Sequence, residues 1–133
     1  MSTFGAIDTA GSGLTVYRKW LDAVSDNISN ASDVSATSGP AFQQRYVVAQ
    51  AVSYGDGGGG AEVAGIRLGS AQGRIVHEPD HPLADANGNV RVPDIDMADQ
   101  MGQLIMAQRG YQANLSVVER AQAAYQQALE LGK

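Results

Sequence analysis

The stretch DIDMADQMGQLIMAQRGYQANLSVVERAQAAYQQALEL, Asp94 to Leu131, decides the fold of this chain. Within it Met97, Met101, Leu104, Gln108, Tyr111, Leu115, Val118, Gln122, Tyr125 and Leu129 follow one another by alternating steps of four and three. That is the heptad period of a helix with one packed seam. Eight of the ten positions are apolar, enough to make the seam a burying face. No proline interrupts the run, and Pro93 just ahead of it pushes Val92 toward an extended conformation. Asp94, Asp96 and Asp99 stand where the helix begins, so a carboxylate there can accept from free backbone N–H groups. Gly132 and Lys133 suit the opposite end. At 1.5 Å per residue this helix is roughly 57 Å long. A small domain needs less, so the seam requires a partner of similar length.

The N-terminal stretch from Phe4 to Ser32 supplies one. Ile7, Ala10, Leu14, Tyr17, Leu21, Val24 and Ile28 alternate steps of three and four, and all are apolar. Gly5, Gly11 and Gly13 weaken its first turns, each costing about 1 kcal/mol against alanine in a helix interior. Matched seams at the two ends predict a mainly α fold with a small β-rich insertion. The long N- and C-terminal helices would pair as an antiparallel coiled coil over 1–34 and 94–133, with short irregular strands in 35–93. Two features of the seams admit alternatives. Trp20 either covers the flank of the helix pair or anchors into a neighbouring subunit, as interface tryptophans do. Gln108 and Gln122 either set register as polar seam residues, or the stripe drifts onto Ala107 and Ala121 and leaves them outside. The second reading is favoured.

A net charge of -5 with basic residues scattered singly argues against a nucleic-acid surface or a polybasic membrane anchor. The absence of cysteine excludes disulfides, zinc thiolates and thiol nucleophiles. No apolar run approaches membrane-spanning length, and no basic patch followed by an apolar block marks a cleavable secretory signal.

Between the helices, Asn30 to Pro40 reads as a helix exit and loop, and Gln44 to Val52 as a strand. The run from Gly55 to Gly60 lacks the Lys-Ser/Thr pair and helix start of a phosphate loop, so it reads as a flexible hairpin loop. Val63, Ile66 and Leu68 suggest a second strand, and Arg74 to His77 a third. Asp85, Asn87, Asn89 and Asp96 fall at calcium-loop positions, but the required glycine is Val90 and Pro93 disrupts the second half. Asn87-Gly88 is the stronger signal, for a hairpin turn. His77 and His81 sit beside prolines with no third ligand in view, and no nucleophile elbow or carboxylate pair is spaced for catalysis. The residues therefore predict no enzyme, no cofactor and no metal.

Three segments carry a resemblance. Ala10-Gly11-Ser12-Gly13-Leu14, followed by Leu21 to Ala31 with Asn27-Ile28-Ser29-Asn30-Ala31, is similar to the signature of bacterial flagellar rod and hook axial proteins. There the first helix closes on an Asn-Ile-Ala-Asn-Ala type element, and Ser29 replaces its usual alanine. Arg109-Gly110-Tyr111-Gln112-Ala113-Asn114 resembles the family's Arg-x-Tyr-x-Ala-Asn element. Glu78 to Asp96 is similar to the segment that marks proximal-rod members, and the chain length fits them. Asp94 stands where asparagine is common, Phe42 where tyrosine is usual, and Gly110 where serine or alanine is usual.

The resemblance implies a structural subunit, exported unfolded without a cleavable signal, that orders its helices on docking into a hollow helical drive shaft. Its partners would be other proximal and distal rod proteins, a motor-ring adaptor and copies of itself, in the basal body. Leu14, Trp20, Leu21, Asn27, Ile28, Asn30, Leu104, Arg109, Tyr111, Asn114 and Leu115 are the expected packing and interface residues; a merely solvated Arg109 is the less favoured alternative. A non-polymeric coiled-coil adaptor would explain the heptads but not the segment before Pro93. Another rod or hook axial protein is the nearer alternative, and a secreted hydrolase finds no support.

Overall fold

The computed structural model describes residues 3–55 and 58–132. Lys133, expected at the helix end, and Asp56 and Gly57 of the glycine run lie outside these. The elements in chain order are α1 (Thr3–Asn30), β1 (Arg45–Ser53), β2 (Gly59–Leu68), β3 (Arg74–His77), β4 (Asn89–Val92) and α2 (Met97–Leu131). In chain order two long helices flank the strands, which pair among the described residues as two two-stranded sheets, β1-β2 and β3-β4. The chain forms two compact units. Met1–Leu21, Val47–Gly65 and Ile105–Lys133 make the first, Asp22–Tyr46 and Ile66–Leu104 the second.

In the first unit the covered residues of α1 follow its predicted seam: Ala10 is buried, and Ile7, Leu14, Tyr17 and Leu21 are half-buried. On α2 the covered face departs from the strict heptad seam in the direction of the favoured reading. Ala107 is fully buried, and Gly110, Tyr111, Asn114, Val118 and Ala121 are half-buried, whereas Leu115 and Leu129 are exposed. Gln108 and Gln122 are exposed, so the stripe does drift onto Ala107 and Ala121. The reason lies in two close approaches. The Asn114 carboxamide lies over Gly13, where a Cβ would come within 2.7 Å of its Oδ1, and the Tyr17 ring lies against Gly110. Neither glycine is merely a weak helix former; each lets a neighbour sit on bare backbone. Small residues turn inward, and the large apolar ones one step around α2 are left outside.

The described glycines at the end of the run, Gly58 to Gly60, are held by neighbours. Tyr54 N–H donates to Gly58 C=O at 3.0 Å. Gly59 and Gly60 already belong to β2. Thr9 Oγ1 donates to Gly59 C=O at 2.5 Å, and Ala61 N–H donates to Ser12 Oγ at 3.1 Å. A Cβ on Gly60 would collide with Ser12 Oγ and come within 2.6 Å of the Tyr54 hydroxyl. Position 60 has no room for a side chain because the hairpin lies against α1 there.

In the second unit Val24, Ala23, Ala41, Val90 and Ile95 are buried. β3 and β4 pair antiparallel with Arg74 opposite Val92 and His77 opposite Asn89. Ser35 adds a bridge to the outer side of β4, exchanging backbone hydrogen bonds with Arg91 at 2.8 Å each way. The turn before β4 runs from Asp85 to Asn89. Gly88 N–H donates to Asp85 C=O at 2.9 Å, and Gly88 takes φ +76. Glycine follows a tight turn there as in a bulged hairpin, in place of the two-residue Asn-Gly turn. α2 starts at Met97, later than the predicted Asp94, because Asp96 is the cap: its Oδ1 accepts from Ala98 N–H at 2.8 Å and Asp99 N–H at 3.2 Å.

Candidate functional site

Near the end of α1, Asn27 is 1 % exposed, and its carboxamide uses every hydrogen-bonding position a strand neighbour would offer. Nδ2 donates to Arg45 C=O and to Gln100 Oε1, both at 3.0 Å, while Oδ1 accepts from Arg45 N–H at 2.8 Å. Asn27 thereby satisfies the backbone at the head of β1 and reaches α2 through Gln100, which is fully enclosed. Two buried amides are tolerated because each finds partners. Around them Arg45 pairs with the Asp26 carboxylate and lies over the Phe42 ring at 5.7 Å. Phe42 thus makes its contact through the ring face, for which a tyrosine hydroxyl is not needed.

Of the other expected interface residues in this unit, Ile28 and Leu104 are half-buried, and Asn30 donates to Asp26 C=O at 2.8 Å. In the first unit Asn114 donates to Gly110 C=O at 2.9 Å while covering Gly13. Leu14, Leu21 and Tyr111 are half-buried, whereas Arg109 and Leu115 face outward. Trp20 stacks on Tyr17 with ring centroids 6.0 Å apart. It lines an open apolar groove of about 300 Å³ with Val16, Tyr17, Val47 and Ala49.

The loop before α2 contains a polar clamp that sequence reading missed. Asp85 Oδ1 accepts from the N–H groups of Asn87 at 2.8 Å and Asn89 at 3.0 Å, and Oδ2 accepts from the Thr37 hydroxyl at 3.0 Å. The Asn89 N–H above all holds the Asp85 carboxyl below the usual carboxylate range. Arg91 donates to the carbonyls of Gln72 and, at 2.8 Å, Thr37, tying three loop segments together. The spacing that suggested a calcium loop is an Asx turn with its oxygens already engaged. Gln100 was missed too, although it starts a seven-residue series with Ala107, Asn114 and Ala121 that could have marked it.

Large apolar side chains remain in the open on α2: Met101, Ile105, Met106, Leu115 and Val117 are all exposed. No helix among the described residues is long and apolar enough to cross a membrane. Nor does any group of three or more His, Asp or Glu among them form a metal-holding cluster. What these elements offer is surface for packing.

Comparison with known proteins agrees with that character. Residues 86–131 match the family described as Flagellar basal body rod FlgEFG protein C-terminal. Over its whole length the chain is 34% identical to the flagellar basal-body rod protein FlgC of Salmonella typhimurium, covering all of both chains. It is 37% identical to that of Yersinia enterocolitica, again covering both completely. The FlgC of Borreliella burgdorferi is 30% identical, with 98% of each chain covered.

Proposed function

The chain belongs to the FlgC family of flagellar basal-body rod proteins, and on that premise we propose how it builds the rod. It is a structural subunit of the flagellar basal body, and its relatives are rod proteins rather than enzymes. In the reading we favour, it occupies the proximal segment and polymerises with other axial proteins into a hollow helical shaft that transmits torque. Its neighbours are the other proximal and distal rod proteins, the motor-ring adaptor and further copies of itself. α1 and α2 act as an antiparallel coiled-coil core over 1–34 and 94–133, and residues 35–93 form the insertion around it.

The single observation that carries this reading is the exposed apolar stripe of α2, with Met101 at 47% and Ile105 at 49% exposure, beside an inward stripe of small and amide residues. A helix apolar on more than its core-facing side has further surface to bury. Surfaces that repeat head-to-tail without closing generate helical tubes. Leu115 and Arg109, which face outward, are then contacts to other subunits, while Asn27 and Asn114 hold each subunit's own helices. Leu14, Leu21, Ile28, Asn30, Leu104 and Tyr111 pack the helix pair and its margins, and Trp20 lies at the edge of the first unit. The unfolded chain passes through the flagellar export apparatus, and its helices order as it docks.

Complementation tests this. A strain lacking its own copy should regain motility and intact basal bodies with the native chain, and lose both with Ile105→Asp plus Leu115→Asp. Purified variant of native helix content that fails only in assembly supports the reading. Full motility with both charges in place contradicts it.

A further inference from the structure

The groove lined by Val16, Tyr17, Trp20, Val47 and Ala49 holds about 300 Å³. That is the small end of the range for ligand pockets, about 300–1,000 Å³, which also need a few convergent polar groups. This one is mostly apolar, lined by Val16, Val47, Ala49 and the rings of Tyr17 and Trp20, with no charged side chain. Its chemistry suits an aliphatic side chain presented by another chain.

The same unit exposes such a group. Leu131 is 89% exposed and Leu129 53% exposed, at the last turn of α2. Asn114 lies over Gly13 and Gly110 under Tyr17, so each step forward on α1 is one step back on α2. That register sets Thr3, where α1 begins, opposite Ala124, and Leu129 and Leu131 extend beyond it. The groove residues on α1 lie opposite Gly110, roughly 30 Å along the helix from Leu131 at 1.5 Å per residue. The end of α2 therefore does not reach the groove of its own chain. Charge points the same way. Glu130 sits between the two leucines, and exposed Arg18 and Lys19 lie between Tyr17 and Trp20 in the chain.

We propose that the Leu129–Leu131 end of α2 docks into the Val16–Trp20 and Val47–Ala49 groove of a second copy, with Glu130 facing Lys19 and Arg18. Knob and groove are different surfaces, so the contact is heterologous and repeats from copy to copy as a ring or an open helix. The proposal rests on the rod-subunit reading for the requirement that copies meet.

The chain has no cysteine, so engineered thiols report the contact cleanly. Full-length Leu131→Cys is mixed with full-length Ala49→Cys and treated with a short thiol cross-linker. A dimer containing one of each is expected, about tenfold above the Leu131→Cys and Leu83→Cys control, because docking raises the local thiol concentration. Yield equal to the control overturns the proposal. Lys19→Glu or Glu130→Lys in the respective partners should each lower the yield about threefold, a magnitude typical of exposed charge pairs. Combining the two reversals should restore it, and failure of restoration also counts against the pairing. Coupling of Leu131→Cys in isolated basal bodies to a different rod protein, and not to Ala49→Cys, overturns the second-copy assignment. Incorporation of both variants into basal bodies without any cross-link sinks this contact and leaves the rod reading standing. Failure of the native chain to incorporate sinks the rod reading itself.

Discussion

Asn27 donates to Gln100 Oε1 at 3.0 Å across seventy-three residues of sequence, and the same amide nitrogen donates to Arg45 C=O. One side chain therefore orders the end of α1, the head of β1 and the start of α2 together. Forming one of these joints places the Asn27 carboxamide close to its partners in the other two. A chain that orders its helices on docking gains from such coupling, since correct placement of one helix favours the rest.

Removing that amide should be costly. Asn27→Ala takes a partner from the part-buried Arg45 N–H and C=O and leaves the enclosed Gln100 Oε1 short of one, the last a penalty of about 1–3 kcal/mol. Thermal unfolding followed by circular dichroism, at a concentration where the helix signal is complete, should show a clear loss of stability. Gln100→Leu should cost less than Asn27→Ala because it strands one donor of Asn27. A double-mutant cycle between 27 and 100 should show coupling of about 0.5–3 kcal/mol, and simple additivity would refute a direct interaction.

Gly110→Ala sets two effects against each other. Alanine gains about 1 kcal/mol of helix propensity, but its Cβ would meet the Tyr17 ring, and overpacking costs about 1–3 kcal/mol. The ring is stacked on Trp20, which limits its retreat, so the substitution should destabilise. In a Tyr17→Ala background the same change should stabilise. A gain in the native background would show that the ring yields freely.

Gly60→Ala should release the hairpin from α1. Its Cβ would displace Ser12 Oγ, the acceptor of the Ala61 N–H. Limited proteolysis should then cut within 54–60 faster than in the native chain, while the α1 amides opposite lose protection in hydrogen exchange. Unchanged cleavage there would mean that Thr9 alone holds the hairpin.

Asp85 should make acid stability measurable. Its folded pKa lies below the ordinary value of 3.8, chiefly through the Asn89 N–H. The carboxylate's contribution is thus complete above the unfolded pKa and is lost as pH falls through the folded one. A carbon-detected NMR titration should place the Asp85 midpoint under 3.8. Asp85→Asn keeps an acceptor for the turn but removes the titration, so its stability should fall less steeply below about pH 4. Identical acid profiles would contradict the assignment.

The rod reading makes a further prediction about the free chain. Dilute protein should show less helix than the folded subunit, rising with concentration or with rod partners, because the exposed stripe of Met101, Ile105 and Leu115 has nothing to bury it. Proteolysis of the dilute chain should trim both ends before the middle. A sharply melting, fully helical monomer would contradict this.

Local order was legible in the residues. The seven-residue series of Ile7 to Ile28 gives the inward face of α1, β3 falls at Arg74–His77 as its β-branched core suggests, and an aspartate caps α2. Each depends on interactions a few residues apart, for which spacing is enough information. The face that α2 turns inward was legible only in part. The drift onto Ala107 and Ala121 was the favoured reading, but Gln100 and Asn114 of the same stripe were not seen as its members, because this helix carries two adjacent stripes of the same period. One holds Met101 and Leu115; the other holds Gln100, Ala107, Asn114 and Ala121. Counting apolar residues selects the first. The fold buries the second, since Gly13 and Gly110 bring backbone and side chain too close for large residues between them.

What the amino-acid sequence determines by itself is therefore periodicity, caps and turns, together with the motifs that place the chain among flagellar rod proteins. Tertiary structure alone decided where Asn27 finds Gln100, how Asn114 comes to lie over Gly13, and why glycines occupy positions 13, 60 and 110. Those depend on the shape of a distant partner, and shape at a contact is not encoded in the spacing of either segment taken alone.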